Sequence, residues 1–329
     1  MIEARGTPEL SPARAADRLT IDGRAVRVRQ RLHAYVTLLV PLAGTILALT
    51  QAVTQGLGML EASLLVGMYA VTMMGVDTGF HRLFSHRSFK AHPALRALLA
   101  ICGSMAAQGP VIYWATNHRL HHARSDTEED LHSPRVDAHG QRRGSLSGLW
   151  HAHVGWMFSH APANPLRLGK DLLRDFTLGR INQLYYLWVL LGLLLPAALG
   201  GLLTGTWAGA GSGLLWGGLV RMFLVQHATF AGNSICHLFG HQPHPTEEGS
   251  TNNLWLTLPT FGGAMHNTHH AFPSSAFLGP RWWHFDISGW LIRAFAALGL
   301  ASDVKALPPE AAQAALELTP RDNPGAAPL

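Results

Sequence analysis

Lysine and arginine are missing from two long intervals, and this constrains the chain more than any motif does. From Arg31 to Arg82 neither occurs, and the interval holds two apolar runs, about 34–54 and 59–80, separated by TQGLG. From Arg180 to Arg221 neither occurs again. There YYLWVLLGLLLPAALGGLLTG is followed, after a Gly-rich turn, by GLLWGGLVRMFLVQHATFAG, giving runs over 184–204 and 212–232. A helix needs roughly 20 apolar residues to cross ~30 Å of hydrocarbon, so each run is long enough to span. The competing reading, buried core helices of a soluble protein, fits poorly in a chain of 329 residues that is 48% hydrophobic and 14% charged. The first run is too long for a secretory signal, and no small-residue cleavage site closes it.

Four spans in two hairpins follow: an all-α, integral membrane fold. The basic residues fall in an N-terminal arm, residues 1–31 (Arg14, Arg18, Arg24, Arg27, Arg29, Arg31), in the middle segment 82–180 and in the tail. The positive-inside rule places all three on the cytoplasmic side, with both hairpin turns outward and both termini cytoplasmic. The main domain is expected over 32–305, with a disordered Ala- and Pro-rich tail over 306–329. Cys102 and Cys236 are too few and too far apart for a disulfide framework or a cysteine zinc site. The net charge of +5 suits an anionic membrane surface or an acidic partner. No nucleic-acid module is visible.

Of the twenty histidines, nine fall in four boxes. HRLFSH carries His81 and His86, HRLHH carries His118, His121 and His122, NSICH carries His237 with Asn233 four residues before it, and HNTHH carries His266, His269 and His270. On a helix, positions i, i+3 and i+4 lie on one side, so each HxxHH box is expected to aim three imidazoles at one point. Read as helices, residues 60–86 and 214–237 would be about 40 and 36 Å long. They overrun the hydrocarbon, and their histidine-bearing ends should project past the cytoplasmic face into a helical cap. His81 and His86, five apart, share a helical face badly, so the helix is expected to end or unwind between them. Neutral imidazole suits Fe, Zn, Cu and Ni, and no single ion takes nine nitrogens, so two metals are implied. The Glu-x-x-His spacing of soluble di-iron bundles occurs only at Glu129 and His132. His33, His92, His139, His160, His227, His241, His244 and His284 read as surface or packing residues.

The chain resembles the membrane fatty acid desaturases of the stearoyl-CoA desaturase type. The resemblance is carried by GFHRLFSHRSFK, IYWATNHRLHHARSDTEEDLHS, AHVGWMF, FAGNSICHLFG and GGAMHNTHHAFP, in the family's order, over about residues 35–305. It implies that His81, His86, His118, His121, His122, His237, His266, His269 and His270 hold two irons and that Asn233 reaches one iron through water. It also implies that O2 is used to remove two hydrogens from an unactivated C16 or C18 acyl chain, leaving a cis double bond, usually delta-9. The metal centre is then the oxidant, and the protein supplies binding, regiochemistry and exclusion of side reactions.

Regiochemistry should come from a bent apolar tunnel. Gln108, Trp114 and Thr229 match family positions around its bend. Met73 and Tyr69, eight and twelve residues before His81 and ~12 and ~18 Å from it along a helix, are candidates for its floor, with Met73 favouring chains near C16. Vertebrate acyl-CoA enzymes carry an Arg-Asp pair where this chain has Thr116 and Asn117, which weakens the case for a CoA thioester and keeps acyl carrier protein and membrane lipid open as the acyl carrier. Arg142, Arg143, Lys170 and Arg174 remain as cations that could meet a carrier or simply face water. Asp77, inside the second apolar run, is either a partner for the ring N–H of His81 or an interfacial aspartate. In the acidic run, Asp126 and Asp130 have family counterparts and are expected to orient ligands, whereas Glu128 and Glu129 carry no such expectation.

Two electrons per turnover must come from outside, since no haem domain or ferredoxin-type cysteine set is fused to the chain. A ferredoxin or cytochrome b5-like donor with its reductase is expected to meet the Arg-rich face. The same boxes are compatible with an acyl hydroxylase or an acetylenase. A metal transporter would place its ligands near the bilayer midplane, whereas these boxes lie past one face. Compositional bias towards Ala, Gly, Leu and Arg points to a bacterial cytoplasmic membrane.

Overall fold

The computed structural model describes residues 18–310. Arg14 and the tail beyond 310 lie outside the described residues. Four helices are long and apolar enough to cross a membrane: α1 Arg24–Gln55, α2 Met59–Ser85, α6 Tyr185–Thr204 and α7 Trp207–Leu238. Their outward faces are greasy. Leu39, Leu47, Leu187, Leu194 and Leu202 are all exposed, the inverse of what water would select. Both hairpins are present, and α2 and α7 run on past the expected ends of their spans to carry the histidines.

Between the hairpins, α3 Pro93–Ser104 and α4 Val111–Arg124 pack on α2, joined by a tight loop with Ala107 and Gly109 at positive φ. A Cβ at Gly75 would sit 2.0 Å from the Gly103 nitrogen, so α2 and α3 touch backbone to backbone. A segment of short helices leads back to α6: α5 Ser145–Trp150, continued by a π turn over His151–Gly155 and by Trp156–Ser159, and then three more pieces ending with Phe176–Gln183. After α7, a loop returns to α8 His266–Ala271, and α9 Ile287–Ala297 closes the cap. The all-α expectation holds but for one two-stranded antiparallel patch, β1 Lys90–Ala91 with β2 Ala301–Ser302, in register Lys90 to Ser302. It ties the start of the cap to its end.

The last twelve residues of α2, Met74–Ser85, form a π-helix. The helix ends between His81 and His86, as their spacing suggests, but only at Ser85, and it reaches that point wound as a π-helix. The His86 amide donates to the His81 carbonyl at 3.1 Å and the Ser85 hydroxyl to the Phe80 carbonyl at 2.7 Å, both five residues back. Closing each turn one residue later than an α-helix brings i and i+5 onto one side, and five-residue spacing becomes a face.

Candidate metal centre

The nine box histidines converge into two groups. His81, His86, His118, His122 and His269 form one, and His121, His237, His266 and His270 form the other; within each group the ligand atoms lie within 4.8 Å of one another. Neither HxxHH box aims at a single point. In α4 the i and i+4 members, His118 and His122, join the first group, while His121 faces the second. In α8 the pair His266 and His270 joins the second group and His269 the first. An i+4 step overshoots a full turn by about 40°, whereas i+3 falls about 60° short of one, so each box splits two and one across the gap between the groups.

The nitrogens are placed so that each group could hold a metal ion. Nε2 faces Nε2 between His81 and His269 at 2.9 Å, His86 and His118 at 2.7 Å, His122 and His269 at 2.8 Å, and His237 and His266 at 3.0 Å. Three of these rings meet a carboxylate through Nδ1, which fixes the proton there and leaves the Nε2 lone pair facing inward. His81 Nδ1 lies 2.9 Å from Asp77, His121 Nδ1 3.0 Å from Asp130, and His237 Nδ1 3.1 Å from Asp126. Opposed lone pairs repel unless a proton or a cation sits between them, and adjacent donors bound at ~2.0–2.1 Å to one ion stand roughly 3 Å apart. Burial, aided by neighbouring rings, carries His86, His118, His122, His266, His269 and His270 well below the ordinary imidazole range, so these rings are neutral. Burial alone would lower His121 too, but the charges of Asp130, Asp126 and Glu248 outweigh it and raise that ring. Burial works against ionised Asp126, yet its bond to His237 holds its carboxyl down at about 2, and Asp130 lies lower still.

Of the two readings of Asp77 the geometry favours the partner role: 5% exposed, it bridges His81 and Arg82, whose guanidinium lies 3.1 Å away. Arg82 pairs in turn with Asp286 at 2.7 Å and donates to the Ala276 carbonyl. Asp286 caps α9 through the Gly289 amide. Asp126 and Asp130 are buried against the rings, while Glu129 pairs with Arg124 at the surface. Sequence reasoning missed Arg82, Asp286, Glu248 and His132. Glu248 lies 3.6 Å from His270 Nδ1 and 3.7 Å from His237 Nδ1. His132 packs 4.3 Å from His121, ring to ring. None of these four stands at an i+3 or i+4 spacing from its partner, and Arg82 alone is next to a box histidine.

Two cavities of about 60 Å³ each lie beside the histidines. One is lined by Met73, Val76, Trp114, Thr229 and Asn233 with His81, His118 and His266. The other is lined by His33, Gln108, Tyr113 and Trp156 and shares Trp114, His118, Thr229 and Asn233 with the first. At the shared wall Gln108 donates to the Thr229 hydroxyl at 2.9 Å and accepts from the Trp114 ring N–H at 3.1 Å. Met73 lines the first cavity and packs in one cluster with Tyr69, whose hydroxyl donates to the Pro259 carbonyl and whose ring meets Phe261. Thr116 and Asn117 are buried, bonded to the Ile112 carbonyl and the Ala163 amide. His33 lines the cavity and His160 bonds Gln30, which refines their reading as plain packing residues.

Residues 60–302 match the family profile described as fatty acid desaturase. A hex-5-enoyl-[acyl-carrier protein] acetylenase of Moorena producens is 43% identical over 89% of this chain and 92% of its own. An sn-1 stearoyl-lipid 9-desaturase of a Synechocystis species is 40% identical over 75% of this chain and 72% of its own. An icosanoyl-CoA 5-desaturase of Limnanthes douglasii is 36% identical over 74% and 64%. With four apolar helices and histidine groups able to hold metal, this chain belongs to the fatty acid desaturase family, oxidoreductases that act on acyl chains.

Proposed function

We propose that the nine histidines hold two iron ions, with Asn233 reaching one through water, and that the chain uses O2 to place a cis double bond, at delta-9, in a saturated C16 or C18 acyl chain. The observation that carries this is the pair of cavities whose shared wall of Trp114, His118, Thr229 and Asn233 stands beside the histidines, with His81 lining one of them. In balance, the acyl chain, O2, two electrons and two protons give the alkene and two waters. The irons supply the power to oxidise an unactivated methylene pair, which no acid or base side chain could do. The chain's own groups do the rest. Gln108, Trp114 and Thr229 fix the bend and hence the carbon pair presented, Met73 limits the chain beyond it, and Asp77, Asp126 and Asp130 hold three rings in one tautomer.

A second reading, an acetylenase acting on a chain bound to acyl carrier protein, is favoured by the Moorena producens relative, which matches over most of both chains. Thr116 and Asn117 are spent on internal bonds, so no cation stands there for a CoA phosphate. Lipid- and protein-linked acyl groups both fit that feature. Electrons come from a separate ferredoxin or cytochrome b5-like protein with its reductase, meeting the basic face. That face is cytoplasmic, in a bacterial cytoplasmic membrane. The test is mass spectrometry of acyl chains, with double bonds located by derivatisation, from a host expressing the chain, a ferredoxin and its reductase. A cis monoene at C9 absent from the His121→Ala variant supports the first reading, an alkyne on the carrier-protein fraction supports the second, and a hydroxylated chain rejects both.

A further inference from the structure

The two histidine groups are unlike in their surroundings. Behind the five-histidine group stands one carboxylate, Asp77, and the buried guanidinium of Arg82 lies 3.1 Å from it. Arg82 is shared with Asp286. Behind the four-histidine group stand three: Asp130 on His121, Asp126 on His237, and Glu248 between His237 and His270. Arg135, whose side chain is 46% exposed, lies 3.5 Å from one of them, Asp126.

Glu248 is held there by construction. Its two oxygens accept from the Ser250 amide and the Ser250 hydroxyl, each at 2.6 Å. The next residue, Gly249, donates its amide to Asp126 at 2.8 Å. A Cβ on Gly249 would fall 1.9 Å from the Arg135 side chain, which itself donates to the His237 carbonyl. The loop around Glu248 is therefore pressed onto the end of α7, with its carboxylate over two rings of one group.

We propose that the two metal pockets are electrostatically unequal, and that Glu248, a positioning residue acting with Asp126 and Asp130, makes the four-histidine pocket the one that favours the more highly charged ion. This rests on the two-iron reading above. Negative charge behind an imidazole makes the ring a stronger donor and stabilises positive charge at the metal, and in a buried site that effect is little screened. The iron among His121, His237, His266 and His270 is then the easier to oxidise, and the iron among His81, His86, His118, His122 and His269 stays ferrous longer.

The experiment uses purified full-length protein carrying 57Fe, followed by Mössbauer spectroscopy during stepwise oxidation by a mediator, with no acyl substrate. In the wild type, one iron should become ferric before the other. Glu248→Gln keeps the shape and the Ser250 bonds to a neutral group. It should shift the signal of the first-oxidised iron and move its oxidation to more positive potential, leaving the other signal in place, and Asp77→Asn should perturb only the other. If Glu248→Gln does not fold, Asp126→Asn carries the same expectation. Simultaneous oxidation of both irons, the same signal perturbed by Glu248→Gln and Asp77→Asn, or no effect of Glu248→Gln would each overturn the inequality. Fewer than two irons per wild-type chain would instead overturn the two-iron reading, and with it the inequality.

Discussion

At the scale of single residues, the informative contacts are those behind the rings. Asp130 is fully buried, and it fixes His121 through Nδ1. Asp130→Asn keeps the shape and a hydrogen-bond acceptor but removes the charge, so metal affinity should fall roughly 10–100-fold, measured as iron per chain after dialysis against a graded chelator. Met73→Ala opens the first cavity, and its product distribution should move from C16 towards C18; an unchanged distribution of chain lengths would remove Met73 from the floor. The box histidines and Asp77, Asp126 and Asp130 were legible because each stands at a helical step from a partner or inside a motif. Glu248 was not: it reaches His237 and His270 from a loop, across a turn with no periodicity. Asp286 was hidden for the same reason, since only folding brings residue 286 against residue 82.

At the scale of elements, the four spans could be read from apolar length alone, because hydrocarbon imposes a single requirement on a long run. Local winding could not. The π-turns of Met74–Ser85 look like any apolar helix in sequence, and they turn the awkward five-residue step from His81 to His86 into a shared face. The splitting of each HxxHH box between two groups was equally hidden, since it depends on where α4 and α8 lie relative to each other. The π segment meets α3 backbone to backbone at Gly75. Gly75→Ala must push against the Gly103 backbone, and overpacking of this kind costs about 1–3 kcal/mol, visible as a lower unfolding temperature in detergent. Gly67→Ala in the same helix meets nothing within 4 Å. It should leave that temperature unchanged or raise it, since alanine is the better helix former.

At the scale of the whole molecule, the neutral imidazoles make stability depend on pH in a definite direction. Six buried rings titrate well below the ordinary value of 6.5. Below that pH the unfolded chain takes up protons that the folded chain refuses, so stability falls as pH drops. Chelator-treated protein should show an unfolding temperature that declines as pH falls below about 6.5, by calorimetry or fluorescence, with the raised His121 opposing the six lowered rings, and iron should flatten the curve. The same rings join distant parts of the chain: His81 faces His269 across 188 residues and His121 faces His270 across 149. With ions in place these contacts act as cross-links, closing loops so long that the restriction on the unfolded chain is of the size a disulfide provides, roughly 4–5 kcal/mol for 100 residues or more. Both cysteines are free and buried, so the rivets that clamp the cap onto the ends of α2 and α7 depend on metal supply, and they can form in a reducing compartment where a cystine could not.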